Sequence, residues 1–314
     1  VTRRIFFRLL LAAGLAGATT ARAQWSIELQ KCADGGFMGV DLAIDYCTRA
    51  IKSGTLSDRN LANAYYNRAV SWERKRRYDR SLADLDEAVR LQAIRPEEDS
   101  VRAGSFAARG GIKLARQDYN GALADLDEAL RLDPGRAENN VRRGQIWLAR
   151  GEPDNALQDF GAALRGSVTD QTQYSGAGIA YAGRPRNLDR TATDSAAHLG
   201  RALALLQKAD AESALAALGE GIRINPGNPA LFANRASLRA RRGDYDGAIA
   251  DYTAALRLNP KDVYGYHNRG CVWAAKREFA NALLDMDAAL SIDRSNEMVH
   301  SSRALLAAGE PCKR

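Results

Sequence analysis

Ala124-Asp-Leu-Asp-Glu-Ala-Leu-Arg-Leu132 decides the fold, because the chain repeats it in variant form as Ala83-Asp-Leu-Asp-Glu-Ala-Val-Arg-Leu91 and Ala250-Asp-Tyr-Thr-Ala-Ala-Leu-Arg-Leu258. Within each stretch apolar residues return at three- and four-residue intervals, the period of an amphipathic helix. Runs of β-branched residues alternating with polar ones are almost absent, so helices are expected throughout. Self-similarity at a fixed spacing is the mark of a solenoid, in which one supersecondary unit is stacked many times.

Aligning prolines and glycines around these stretches gives units at 62–95, 103–134, 137–168, 195–226, 229–260 and 263–294, most of them offset by 34 residues. The eighth residue of each unit is small: Ala69, Gly110, Gly144, Ala202, Ala236 and Gly270. Small residues return at the twentieth (Ser81, Ala122, Ala156, Ala214, Ala248, Ala282) and twenty-seventh places (Ala88, Ala129, Ala163, Gly221, Ala255, Ala289). Such columns mark where two helices must approach closely. A large apolar residue at the twenty-fourth place fills the space they leave: Leu85, Leu126, Phe160, Leu218, Tyr252 or Met286. Pro134, Pro226 and Pro260 punctuate the ends of second helices.

With six units in this small-small-large-small pattern, the chain resembles the tetratricopeptide-repeat family over roughly 40–308. The resemblance implies an all-α, right-handed superhelical solenoid of antiparallel helix pairs, with about six full repeats, partial repeats and a C-terminal capping helix. The expected organisation is an export signal at 1–23, an N-terminal segment with a partial repeat at 24–61, three repeats at 62–168, an irregular half-repeat or bend at 169–194, three repeats at 195–294, and a capping helix and tail at 295–314. Extra residues around 94–100 predict a longer loop between the first two full units. The next unit starts too soon after 171–184 for a complete second helix, which predicts a break between two lobes there.

Two columns bear on function. The seventh residue of every unit is arginine: Arg68, Arg109, Arg143, Arg201, Arg235 and Arg269. Sixteen residues later stands Asp84, Asp125, Asp159, Asp251 or Asp285, with Ala217 the exception. Matching columns of opposite charge on the two helices of a hairpin read as structural ion pairs rather than an anion-binding groove. The sixth residue is Asn67, Asn234 or Asn268 in three units, and asparagine inside a helix needs a reason. The resemblance implies that this position faces the concave groove, similar to the asparagine ladder of the O-GlcNAc transferase repeats, where amides hold an extended peptide backbone. The carboxylate clamp of chaperone-binding repeats is not evident, since its positions hold Tyr66, His267, Val70 and Cys271. Tyr65, Tyr66, Phe232, Tyr264 and Tyr266 read chiefly as packing, with a minority as groove anchors.

At the N-terminus Arg3, Arg4 and Arg8 precede the apolar stretch 9–18 and Ala21-Arg22-Ala23, the layout of a cleavable secretory signal. Thr2-Arg3-Arg4-Ile5-Phe6-Phe7-Arg8 resembles a twin-arginine motif, so both the Tat and Sec routes stay open. Either places the protein in the periplasm or outside the cell. Four arginines of the signal account for four of the formal +7, and the remaining +3 is interleaved with acids, so no nucleic-acid partner is expected. In an oxidising compartment four cysteines predict disulfides. Cys32 with Cys47 would staple the N-terminal segment to the stack, and Cys271 with Cys312 would require the tail to fold back. No pair has Cys-x-x-Cys spacing, so no metal site or cofactor is expected.

An enzyme is the rival reading. His198, His267 and His300 fall in different units, and no phosphate loop, nucleophile elbow or metalloprotease helix is present. Asp84 with Asp86, and Asp125 with Asp127, are two apart on a helix and read as solvated surface. The expectation is a non-catalytic scaffold of the cell envelope that binds a protein or extended peptide in its groove. The alternative is a structural part of an envelope complex held through its convex face or ends.

Overall fold

The computed structural model describes residues 28–32, 39–93, 99–169 and 190–312. The expected export signal, residues 94–98 of the longer loop expected around 94–100, and residues 170–189 of the irregular half-repeat expected at 169–194 lie outside the described residues. Every regular element within them is an α-helix. Residues 28–32 are helical, and α1 (Val40–Lys52), α2 (Asp58–Arg74), α3 (Tyr78–Gln92), α4 (Asp99–Ala115), α5 (Tyr119–Leu132), α6 (Ala137–Ala149) and α7 (Pro153–Thr169) follow. The second half holds α8 (Arg190–Gln207), α9 (Ala211–Ile224), α10 (Pro229–Arg241), α11 (Tyr245–Leu258), α12 (Val263–Ala275), α13 (Phe279–Ile292) and α14 (Glu297–Ala307). One compact unit holds α1 to α5 and most of α6; the other holds most of α7 and α8 to α14.

Within each unit, helices consecutive in sequence pack on each other, pairing as α2 with α3, α4 with α5, α8 with α9, α10 with α11 and α12 with α13. The small columns explain why. Ala69, Ala202 and Ala236 are fully buried, as are Ala122, Ala214, Ala248 and Ala282 across the hairpin. At Gly270 a Cβ would stand 2.9 Å from Met286 Cε and 3.1 Å from the Ala282 carbonyl oxygen. The large column, including Leu85, Leu126, Leu218 and Met286, fills the remaining space at 0–1% exposure. Each such side chain contributes about 1.5–3 kcal/mol by leaving water.

The turn between paired helices has its own device. The fifteenth residue of every unit is left-handed: Arg76, Gln117, Gly151, Ala209, Gly243 and Arg277, with φ between 54° and 84°. The next residue is often the cap of the second helix, as where Asp118, Asp210 and Asp244 accept hydrogen bonds from the Gly121, Ser213 and Gly247 amides.

At the N-terminal end α1 buries Ala43, Cys47 and Ala50, four and three residues apart, which reproduces the columns of a second helix. Cys47 takes the large position and is joined to Cys32, which is also buried. A second disulfide joins Cys271 of α12 to Cys312. Between them, α14 lays Val299 and Leu306 onto Ala289 and Met286 of α13.

Candidate functional site

The arginine column is the most regular polar feature of both units. Arg68 grips Asp84 with Nε to Oδ2 at 2.8 Å and Nη2 to Oδ1 at 2.6 Å. The same fork is made by Arg109 on Asp125, Arg235 on Asp251 and Arg269 on Asp285. All four aspartates are buried. Each arginine also lies over the aromatic ring three residues before it, Tyr65, Phe106, Phe232 or Tyr266, 5.2–5.9 Å from the centroid. The mutual hydrogen bonds hold the guanidinium pKa of Arg109, Arg235 and Arg269 above its ordinary value. Arg201, opposite Ala217, is exposed. Asp159 is buried in the second unit, and Arg143 in the first bonds Asp127 Oδ1 at 2.7 Å.

That last bond corrects the reading of the paired carboxylates as solvated surface. Asp84 and Asp125 are buried under their own hairpin's arginine, and their partners two residues on reach the next hairpin. Asp86 Oδ1 accepts from Arg109 Nη1 at 2.7 Å, and Asp127 does the same for Arg143. Arg68 and Arg269 use Nη1 in the same way on Thr48 and Thr253 of the preceding helix. Positions two apart on a helix do point in different directions, and here each direction holds a different arginine.

A second ladder, which the reading of the sequence misses, joins the fourteenth residue of one unit to the eighteenth of the one before. Its rungs are Lys75 with Asp41, Arg116 with Asp79, Lys208 with Asp154, Arg242 with Glu212 and Lys276 with Asp246. The basic column at that place was available in the sequence at the same repeat spacing. Its partners lie across a repeat boundary rather than within a hairpin.

The asparagines do not share one environment. Asn234 turns its amide onto its own helix, Nδ2 donating to the Ala230 carbonyl oxygen at 2.8 Å. Asn268, at the equivalent place on α12, is exposed. Asn67 is half-buried in the other unit. The glycine that replaces asparagine at Gly200 has a packing cause, since a Cβ there would come within 2.3 Å of the Phe160 ring. Of the aromatics near the helix starts, Tyr66 and Tyr266 join core clusters, whereas Tyr264 stands 62% exposed one turn from Asn268. Met298, at the corresponding place on α14, is also exposed.

The histidines are scattered as their spacing indicates, with one addition. His300 Nε2 lies 2.9 Å from the Arg294 carbonyl oxygen. His198 is buried, and desolvation, with Arg201 adding to it, lowers its pKa. His267 comes to lie beside Cys271 and Cys312, the donor atoms of all three within 4.8 Å of one another. Spacing along the chain hides this cluster because its third member arrives from 41 residues away.

Two family models match, one described as TPR repeat over 236–276 and one as tetratricopeptide repeat over 108–171. No curated protein matches the sequence. Among solved structures, a tetratricopeptide repeat protein from Parabacteroides merdae is similar at TM-score 0.62 and 18% identity, covering 90% of this chain and 98% of that one. PilW, a type IV pilus biogenesis factor, is similar at TM-score 0.61 and 16% identity, covering 77% and 97%. The pilF protein of Pseudomonas aeruginosa gives 0.60 and 14%, covering 79% and 99%. No helix among the described residues is long and apolar enough to cross a membrane. The matched segments, together with the hairpin that recurs through both units, make the fold one of tetratricopeptide repeats.

Proposed function

We propose that the protein is a non-catalytic scaffold of the bacterial cell envelope that binds a protein or an extended peptide along the first-helix face of its repeats. The observation that carries this reading is the pairing of Tyr264 with Asn268. The two are four residues apart on α12 and both exposed, an aromatic anchor beside an amide, with exposed Met298 following on α14. Such a surface offers apolar contact and one donor–acceptor group to a main chain without reading its charge. Four arginines of the column that would otherwise suggest an anion site, Arg68, Arg109, Arg235 and Arg269, are occupied with buried aspartates. An envelope location is supported by the signal-like sequence at 1–23 and by two disulfides.

The test is selection of peptides from a displayed random library on the oxidised protein, followed by fluorescence anisotropy on the enriched sequences. The variant carrying Asn67→Ala, Asn234→Ala and Asn268→Ala, and Tyr264→Ser separately, are compared after matching their melting curves. Weakened binding by both supports the groove. Peptides held equally well by wild type and both variants would place binding on the convex face or the ends, the reading of a structural envelope component.

A further inference from the structure

We infer that His267, Cys271 and Cys312 form a redox-gated site for a thiophilic d10 cation, of which Zn2+ is the probe, open when the cysteines are reduced and closed by their disulfide. His267 and Cys271 are four apart on α12, so their side chains rise over the same turn. Cys312 is delivered by a chain reversal: α14 ends at Ala307 with Ala308 as its cap, Gly309 takes φ of 77°, and the Gly309 and Glu310 amides bond back to the Leu306 and Leu305 carbonyls. The reversal lets the tail lie against α12, where both cysteines pack on the α12–α14 core cluster.

The donor geometry fits a tetrahedral ion. With metal–sulfur and metal–nitrogen distances of about 2.3 and 2.0 Å, the edges of the tetrahedron are about 3.5–3.8 Å. His267 Nε2 already stands 3.7 Å from Cys271 Sγ. Opening the disulfide requires the two sulfurs to part from about 2.05 Å to about 3.8 Å, a movement that the tail segment can supply. The imidazole is placed to present Nε2. Its Nδ1 lies 3.4 Å from Asn268 Oδ1, which as an acceptor favours the tautomer with the proton on Nδ1. The Ser302 hydroxyl, 2.9 Å from Nε2, must swing away and is left beside the ion, where it or water takes the fourth position. Two thiolates and an imidazole are a soft donor set that favours such cations over Mg2+ or Ca2+.

The gating step balances as a thiol–disulfide exchange. A dithiol reductant gives two electrons and two protons to the Cys271–Cys312 bond and becomes a disulfide; the two thiols then lose their protons to solvent as the cation binds. This reading is independent of peptide binding, since the site needs no partner.

The experiment is a Co2+ titration of the full chain, oxidised and after reduction with a phosphine, followed by displacement with Zn2+. The expected result is one equivalent of tetrahedral thiolate-to-cobalt absorption in the reduced protein, its loss on adding Zn2+, and none in the oxidised protein. Cys312→Ser, which leaves Cys32 and Cys47 in place, and His267→Gln should each weaken binding about tenfold or more. Three results overturn the inference: no such absorption in reduced protein that keeps its far-ultraviolet helix signal, unchanged affinity in either variant, or loss of the helix signal on reduction, since the donors then no longer share a place.

Discussion

Replacing Arg269 by alanine isolates what the arginine column contributes. Asp285 is 5% exposed and receives both fork bonds of Arg269, at 2.9 and 2.6 Å, and among the described residues no second cation joins it. The alanine variant therefore leaves a carboxylate buried without a counter-ion, and such losses cost about 3–5 kcal/mol. Asp251 is the internal control, because Arg239 Nη1 stands 2.9 Å from its Oδ2 and remains when Arg235 is removed. Arg235→Ala removes its two fork bonds but leaves Asp251 a counter-ion, so it should cost less, about 1.5–3 kcal/mol, the scale of charge-assisted hydrogen bonds. At roughly 2–4 °C per kcal/mol for a domain of this size, Arg269→Ala lowers the melting temperature by about 10 °C. Replacing both partners, Arg269→Met with Asp285→Leu, should recover most of the loss, since no buried charge is left behind. The assay is urea unfolding followed by far-ultraviolet circular dichroism with both disulfides intact, compared at equal m values. Equal costs for the two single variants, or a cost below about 1 kcal/mol for Arg269→Ala, would refute the claim that the column holds the hairpins together.

Gly151 and Gly243 adopt φ of 74° and 84°, with open space around the would-be Cβ, so Gly151→Ala and Gly243→Ala should each cost about 1–2 kcal/mol from backbone strain alone. Ala209→Gly, at φ of 60°, should raise the melting temperature by the converse effect. His198 has its pKa lowered by burial and by Arg201, with Glu220 and Asp194 opposing and Arg223 adding least. Its contribution is full above the unfolded imidazole value and falls away as pH drops through the lower folded value, because the unfolded chain binds the proton first. His198→Phe, matching Phe232 at this place in the following unit, should flatten the decline in stability measured below about pH 6.5. The exposed rungs are expected to matter little: Lys276→Ala, which frees Asp246, should leave the melting curve unchanged in high salt.

By itself the sequence determined the helices, their pairing and the repeat register, because small residues at fixed intervals allow only one close approach and the Pro and Gly positions punctuate it. For four hairpins it also indicated which arginine faces which aspartate, Arg68 with Asp84, Arg109 with Asp125, Arg235 with Asp251 and Arg269 with Asp285, since both columns recur with the hairpin. Tertiary structure decided what depends on distance across repeat boundaries. Asp86 and Asp127 read as free surface along one helix, but the next hairpin supplies their arginines. Gly200 interrupts the asparagine column because Phe160 occupies the space, a contact that no spacing predicts. Asn234 and Asn268 are the same residue in the same column, and only their surroundings fold one amide inward and leave the other exposed. His267, Cys271 and Cys312 became neighbours through the reversal at Gly309, because donor proximity is set by the path of the chain in space rather than by its order.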